Sequence, residues 1–101
     1  MSCRQRHAHD SLCRDLLLHA ADRLDRLRTQ VERWTQGDRE ELERTLDTLR
    51  GLLNRVTARV EAARLAADDA WPFARAVADQ AIEELMNGLD AVEVRLKRAA
   101  A

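Results

Sequence analysis

Apolar residues recur along this chain at spacings that alternate between four and three, which is the repeat of α-helices that each bury one narrow face. The repeat falls into three segments, here called the first, second and third seams. We expect each seam to line one helix and to pack against the others. The seams are Cys13, Leu17, Ala20, Leu24, Leu27, Val31 and Trp34; then Leu42, Leu46, Leu49, Leu53, Val56, Val60, Ala63 and Ala67; then Ala78, Ile82, Leu85, Leu89, Val92, Leu96 and Ala99.

The boundary between the first two helices is predicted at Gly37 and Asp38. Glycine readily takes the left-handed conformation that often ends a helix. Asp38 and Glu41 then form an acidic variant of the capping box that begins one. Because the link is short, we expect the second helix to fold back antiparallel to the first.

The helical pattern breaks again around Pro72. Continuing the second seam would place Val77 on its apolar face, whereas the third seam begins at Ala78, so the register slips by one residue. Proline lacks the amide hydrogen of a helical bond and is tolerated in the first turn of a new helix. We therefore predict a break with Asp69 as the next N-cap, and a sharp kink is the alternative.

These boundaries predict an all-α fold, an antiparallel up-down-up three-helix bundle or coiled coil, with helices near residues 11–36, 38–68 and 70–99. Residues 1–10 are expected to be a flexible N-terminal arm, followed by a single helical-bundle domain over 11–101. The alternative fold is a helical hairpin whose long second helix is kinked at Pro72. That hairpin would leave the third seam uncovered and would therefore dimerise.

The segment around Pro72 also carries a short motif. Its residues are Asp69, Ala70 and Trp71, followed by Ala81, Glu84 and Leu85. In these residues the chain resembles a family of small bacterial coiled-coil proteins of unassigned function, whose helix starts with Gly-Asp-Ala-Trp-Glu and has a second Ala-Trp eleven residues later. The chain departs from that pattern at Pro72, Val77 and Ile82, where the family has glutamate, glycine and the second tryptophan. The resemblance covers about thirty residues and implies a coiled-coil architecture, with no catalytic residue.

Charge and hydropathy narrow the choice of partner. The chain has 17 basic and 18 acidic residues, interspersed, so it has no basic surface that would attract nucleic acid. No apolar run has the length of a membrane-spanning helix, and the first residues lack the apolar stretch of a signal peptide. We therefore expect no membrane insertion and a cytoplasmic location.

Near the N-terminus, Cys3, His7, His9 and Cys13 form a C-x3-H-x-H-x3-C pattern. Thiolate and imidazole are the usual ligands of zinc, and four of them would close a structural site. On a helix, however, Cys3 with His7 and His9 with Cys13 would lie on different faces, and the nearby arginines disfavour a cation. We therefore expect neither a metal nor another cofactor.

The sequence contains no catalytic motif, phosphate-binding glycine loop or metalloprotease motif, so we expect no enzyme activity. The favoured hypothesis is a helical interaction or scaffold protein that acts through coiled-coil surfaces, with another protein or a second copy of itself as partner. One alternative is a metal- or thiol-responsive protein that uses the N-terminal Cys/His arm. A protein lying on a membrane surface is disfavoured, because mixed charges cover the helices outside the narrow seams.

Some apolar residues lie beside the seams and widen the apolar surface. They would either belong to the core or bind a partner. The aromatic residues Trp71 and Phe73 are expected to pack in the core, where either could cover Leu12 and Leu16 of the first helix, and an anchor for a partner is the alternative. The flanking residues are Leu52, Leu65, Val77, Met86 and Val94.

Overall fold

The computed structural model describes residues 3–100 and contains three helices: α1 (Cys3–Glu32), α2 (Arg39–Leu65) and α3 (Trp71–Ala100). They pack side by side in an elongated bundle of 51 × 18 × 17 Å. The predicted all-α three-helix bundle is confirmed, and the kinked hairpin is not what the chain forms. Along residues 3–100, none of the helices combines the length and apolarity needed to cross a membrane.

Ion pairs across the helices show how they are aligned. As residue numbers rise along α1, those of their partners on α2 fall by the same amount, so α1 and α2 are antiparallel. In contrast, His9 with Asp79 and Arg23 with Glu93 are each 70 positions apart, so α1 and α3 are parallel. The pairs between α1 and α2, at 2.8 to 2.9 Å, are Arg14 with Glu61, Asp25 with Arg50 and Arg28 with Asp47.

The three seams meet in one hydrophobic core, as the periodicity predicts. Nearly every seam residue is buried, and the largest fully buried side chains include Leu24, Leu46 and Leu89. The exceptions are Leu17 and Trp34, which are half-buried against the core, and Ala67 and Ala99, which are exposed near helix ends. Burial of this apolar surface is the main stabilising contribution to the fold.

Gly88 allows α3 to approach α2 closely. A β-carbon added at this position would lie 2.5 Å from Cδ2 of Leu49, which is too close unless the leucine moves. The seam pattern places Gly88 beside the apolar stripe, and the pattern alone gives no reason for a glycine there. The packing of the two helices supplies that reason.

The N-terminus differs from the prediction. α1 begins at Cys3 and not near residue 11, so residues 3–10 of the predicted arm form its first two turns, and residues 1–2 lie outside the described residues. Tertiary contacts stabilise these turns, since Arg6 donates hydrogen bonds to Asp68 and to the backbone carbonyls of Ala63, Arg64 and Ala66. Cationic side chains are favourable beside the carbonyl groups at a helix C-terminus.

The boundary between α1 and α2 differs from the prediction in two details. Among residues 3–100 no glycine has a positive φ, so Gly37 is not a left-handed cap, and α1 ends earlier, at Glu32. Asp38 holds the predicted N-cap position of α2 but makes no capping hydrogen bond with its side chain. Its carboxylate instead accepts hydrogen bonds from Trp34 Nε1, at 2.7 Å, and from Arg95, which joins the link to α3.

The break between α2 and α3 lies at residues 66–70, as the register slip and Pro72 predict. Because α3 begins at Trp71, the N-cap position is held by Ala70 and not by Asp69 as predicted. The carbonyl of Ala67 accepts hydrogen bonds from the amides of Ala70 and Trp71, at 3.0 and 2.9 Å. Pro72 therefore lies in the first turn of α3, where its missing amide hydrogen costs little.

Glu61 should make the stability of the bundle depend on pH. Hydrogen bonds from Arg64 and Arg14 lower the pKa of Glu61 from 4.5 to about 2. A lowered folded-state pKa stabilises the fold above the unfolded pKa, and this contribution is lost as the pH falls from about 4.5 towards about 2. We expect Glu61→Gln to have a lower Tm than the wild type at neutral pH. The difference should be small, because the Glu61 side chain is partly exposed to solvent.

Thermal melting from neutral pH down to pH 2 measures this effect. The difference in Tm between Glu61→Gln and the wild type should shrink as the pH falls and vanish near the lower end. Glu83→Gln, an exposed position on α3, serves as the control. A difference at Glu61 that stays constant over the whole range would contradict the prediction.

Candidate functional site

Three side chains with potential metal-ligand atoms join α1 to α3, and we call them the His9 cluster: His9, Cys13 and Asp79. Its ligand atoms all lie within 4.8 Å of one another. His9 Nε2 is 2.7 Å from Asp79 Oδ1 and 3.5 Å from Cys13 Sγ. His9 and Cys13 are one helical turn apart, so α1 presents them on the same face, and the parallel α3 supplies the carboxylate.

Residues from the first turns of α1 and α3 pack around the His9 ring. Trp71, at the first position of α3, is buried and meets the His9 ring edge-on, with ring centroids 5.8 Å apart. The guanidinium groups of Arg6 and Arg75 lie 5.7 and 5.2 Å from the centroid of the Trp71 ring, within the range of cation–π contacts. Trp71 is therefore buried, as the sequence predicts, but its ring packs against His9, and Leu12, which it was expected to cover, is 58% exposed.

The His9 cluster has a buried and an exposed side. The side chains of His9 and Asp79 are 7% and 51% exposed, and Cys13 is buried. Burial raises the pKa of the Cys13 thiol above its usual value of 9.0, and the carboxylates of Asp79 and Asp10 raise it further. At neutral pH the metal-free thiol is therefore protonated.

This arrangement does not suit nucleophilic catalysis. A catalytic histidine holds its nucleophile with one ring nitrogen and its carboxylate with the other. In the His9 cluster, Cys13 Sγ lies 3.5 Å from Nε2 and 3.8 Å from Nδ1, so the sulfur lies beside the ring and not in line with either nitrogen. A reactive cysteine also needs a lowered pKa, whereas that of Cys13 is raised.

The four N-terminal residues considered as metal ligands separate into two pairs, as helical spacing implies. Cys3 and His7 are exposed and line a groove between the start of α1 and the end of α2, away from the His9 cluster. The N-terminal sequence pattern contains His9 and Cys13 but not Asp79. Nothing in the local sequence marks this aspartate, because it lies 70 positions away and looks like any other solvated helix residue.

A second feature is a shallow apolar groove of ≈ 390 Å³ between α1 and α2, here called the Leu18 groove. Its edge carries Leu18, which is 72% exposed. The small side chains in its lining leave room between the two helices. The lining residues are Arg14, Leu17, Leu18, Ala21, Leu53, Asn54 and Thr57.

The residues that flank the seams differ in their burial. Leu52 and Met86 pack against the core, and Val77 is half-buried in a groove beside Phe73. Leu65 and Val94 are exposed. Phe73 is 77% exposed, so the expectation that it packs in the core is wrong, although it holds for Trp71.

Comparisons with protein families, with curated proteins and with solved structures gave no match. The resemblance of the segment around Trp71 to small bacterial coiled-coil proteins therefore remains a prediction. Function has to be inferred from the chain's own surfaces and side chains.

Proposed function

We propose that this chain is a non-enzymatic helical interaction protein that binds another protein chain in the Leu18 groove. The proposal depends mainly on one observation: a leucine that is 72% exposed borders an apolar groove, although the three seams already form a closed core. Exposed apolar surface next to a groove is typical of protein interaction sites. Full burial of a leucine side chain contributes about 1.5 to 3 kcal/mol.

The shape of the Leu18 groove favours a helix as the bound element. It runs between two antiparallel helices, and Leu17 and Leu53 line it. Ala21, Asn54 and Thr57 are small enough to let another helix approach, which would complete a four-helix arrangement. An amphipathic helix that lays its apolar face into such a groove is a common mode of recognition.

The charges around the groove favour protein over a polyanion. Arg14, which lines the groove, forms ion pairs with Asp10 and Glu61, so its positive charge is matched. Nucleic acids and anionic lipids need unmatched basic charge. A partner helix with mixed charges beside its apolar face fits this rim.

Leu18→Glu tests the proposal, with Leu65→Glu as the matched control. Both leucines are largely exposed, 72% and 67%, so neither substitution should unfold the bundle, but only Leu18 borders the groove. A second copy of the chain is the first partner to examine, by sedimentation over a range of concentrations. We expect Leu18→Glu to weaken association at least about tenfold, which corresponds to 1.4 kcal/mol, and Leu65→Glu to leave it unchanged.

If the wild type sediments as a monomer at all concentrations, self-association is excluded and a different protein must be the partner. A photo-crosslinking amino acid at position 18, compared with one at position 65, then identifies it in cells. Equal crosslinking at the two positions would refute binding in the Leu18 groove. An enzymatic activity that is lost when a defined set of side chains is substituted would refute the non-enzymatic assignment.

A further inference from the structure

We propose that His9, Cys13 and Asp79 bind a zinc ion that joins the start of α1 to α3. Imidazole, thiolate and carboxylate are all common ligands of Zn²⁺, and three protein ligands leave one position for water. The proposed site takes two of the residues from the N-terminal pattern and adds one from a different helix. It is independent of the Leu18 groove and does not require the interaction function.

The spacing of the ligand atoms suits a tetrahedral ion. Zinc bond lengths of about 2.3 Å to sulfur and 2.0 to 2.1 Å to nitrogen place these two ligand atoms about 3.5 Å apart at a tetrahedral angle. Cys13 Sγ and His9 Nε2 are 3.5 Å apart. Asp79 Oδ1 lies 2.7 Å from Nε2, at hydrogen-bond distance, and would move away by about 0.6 Å to reach the zinc-bound separation.

Both ring nitrogens of His9 lie near the thiol, so the imidazole would turn to direct Nε2 at an ion between Cys13 and Asp79. Nε2 of His9 is the nearer ring nitrogen to the thiol, and the same atom contacts the carboxylate. Without metal, Nε2 can donate its hydrogen to Asp79 while Nδ1, at 3.8 Å, accepts one from the Cys13 thiol. An ion between the three atoms would accept the lone pair of Nε2 and bind the thiolate and the carboxylate at once.

The charges near the His9 cluster permit a divalent cation. The carboxylates of Asp79 and Asp10 both act on the Cys13 thiol, and Asp10 has one buried oxygen, Oδ1, without a hydrogen-bond partner. Arg75 carries a positive charge that would repel a cation. Its Nε lies 3.7 Å from Asp79 Oδ2, which leaves Asp79 Oδ1 for the metal. Arg6 is occupied by Asp68 and by carbonyl groups at the end of α2.

The proposed zinc site is buried on one side and open to solvent on the other. Trp71 covers the His9 ring, and the buried thiol is protected from water, so metal bonds there face little competition from solvent. Asp79 is half-exposed, which gives an ion a route of entry and gives a water molecule room at the fourth position. Because the ligands come from two helices, the bound ion would hold α1 and α3 together.

Metal titration of the purified, metal-free protein tests the proposal. We expect one equivalent of Zn²⁺ to be retained on dialysis against micromolar zinc. Co²⁺ should give a thiolate-to-metal charge-transfer band in the near ultraviolet, which Zn²⁺ abolishes by displacement. Cys13→Ser should remove that band, whereas Cys3→Ser should keep it, since Cys3 lies outside the cluster.

Asp79→Asn provides a second variant that should fold normally because Asp79 is exposed. It should weaken zinc binding at least about tenfold, given that loss of even an outer hydrogen-bond partner of a metal ligand lowers affinity 10–100-fold. Zinc should also raise the Tm of the wild type but not that of Asp79→Asn.

Absence of zinc binding in the wild type, or a cobalt band that is lost in Cys3→Ser, would overturn the assignment. Unchanged zinc affinity in Asp79→Asn would overturn it as well. Circular dichroism of each variant confirms that the helices are intact. Because Leu18→Glu should not alter metal binding, the two proposals can fail separately.

Discussion

Leu46→Ala should lower the free energy of unfolding by about 2 to 5 kcal/mol, the usual cost of removing a buried leucine side chain. Leu46 is fully buried in the second seam and is among the largest such side chains in the core. Truncation removes apolar contacts and leaves a cavity that three packed helices cannot easily fill. Chemical denaturation followed by circular dichroism measures the effect.

Leu65→Ala, on the same helix, is the matched control. Leu65 is 67% exposed, so its truncation should change the free energy of unfolding by no more than about 0.5 kcal/mol. The comparison makes the same Leu→Ala change at a buried and at an exposed position of α2, so it isolates mainly the loss of packing. Equal effects at the two positions would contradict the assignment of the second seam to the core.

Trp71→Ala should destabilise the protein by about 3 to 5 kcal/mol, the range for buried tryptophan or phenylalanine. Trp71 is buried at the start of α3, where its ring contacts His9 of α1 and the guanidinium groups of Arg6 and Arg75. Its removal would loosen the attachment of α3 to α1 at this end of the bundle. Hydrogen exchange should then increase first at the N-terminal turns of both helices.

Phe73→Ala, two residues further on, is the control for that experiment. Phe73 is 77% exposed, so we expect a change of no more than about 0.5 kcal/mol and no increase in exchange in α1. A large effect of Phe73→Ala and a small one of Trp71→Ala would mean that α3 is rotated about its axis relative to the structure described here.

The fold could be predicted to a large extent because its main signal is local. An apolar residue every three or four positions defines one helix face, whatever surrounds the helix, and this holds for Leu42 to Ala63 and for Ala78 to Leu96. Pro72 and the register slip likewise locate the second break within a few residues. Helix ends were predicted less well, since the helicity of residues 3–10 depends on hydrogen bonds from Arg6 to α2.

The sequence predicts less of the candidate sites than of the fold. His9 and Cys13 were recognised as a pair one turn apart, but the third member, Asp79, comes from another helix. Trp71 and Phe73 were given the same expectation because they are close in sequence and both aromatic. Two residues along a helix is a rotation of about 200°, which is why one faces the bundle and the other faces solvent.

The sequence by itself determined the three helices, their apolar faces and the approximate positions of the breaks, because these depend on residue type and on a periodicity that the α-helix imposes. Tertiary structure alone decided which groups from different helices meet. It placed Asp79 against His9, Arg6 at the end of α2 and Gly88 against Leu49. The physical reason is that such contacts depend on the axial shift and rotation of packed helices, which the whole core sets and no local segment specifies.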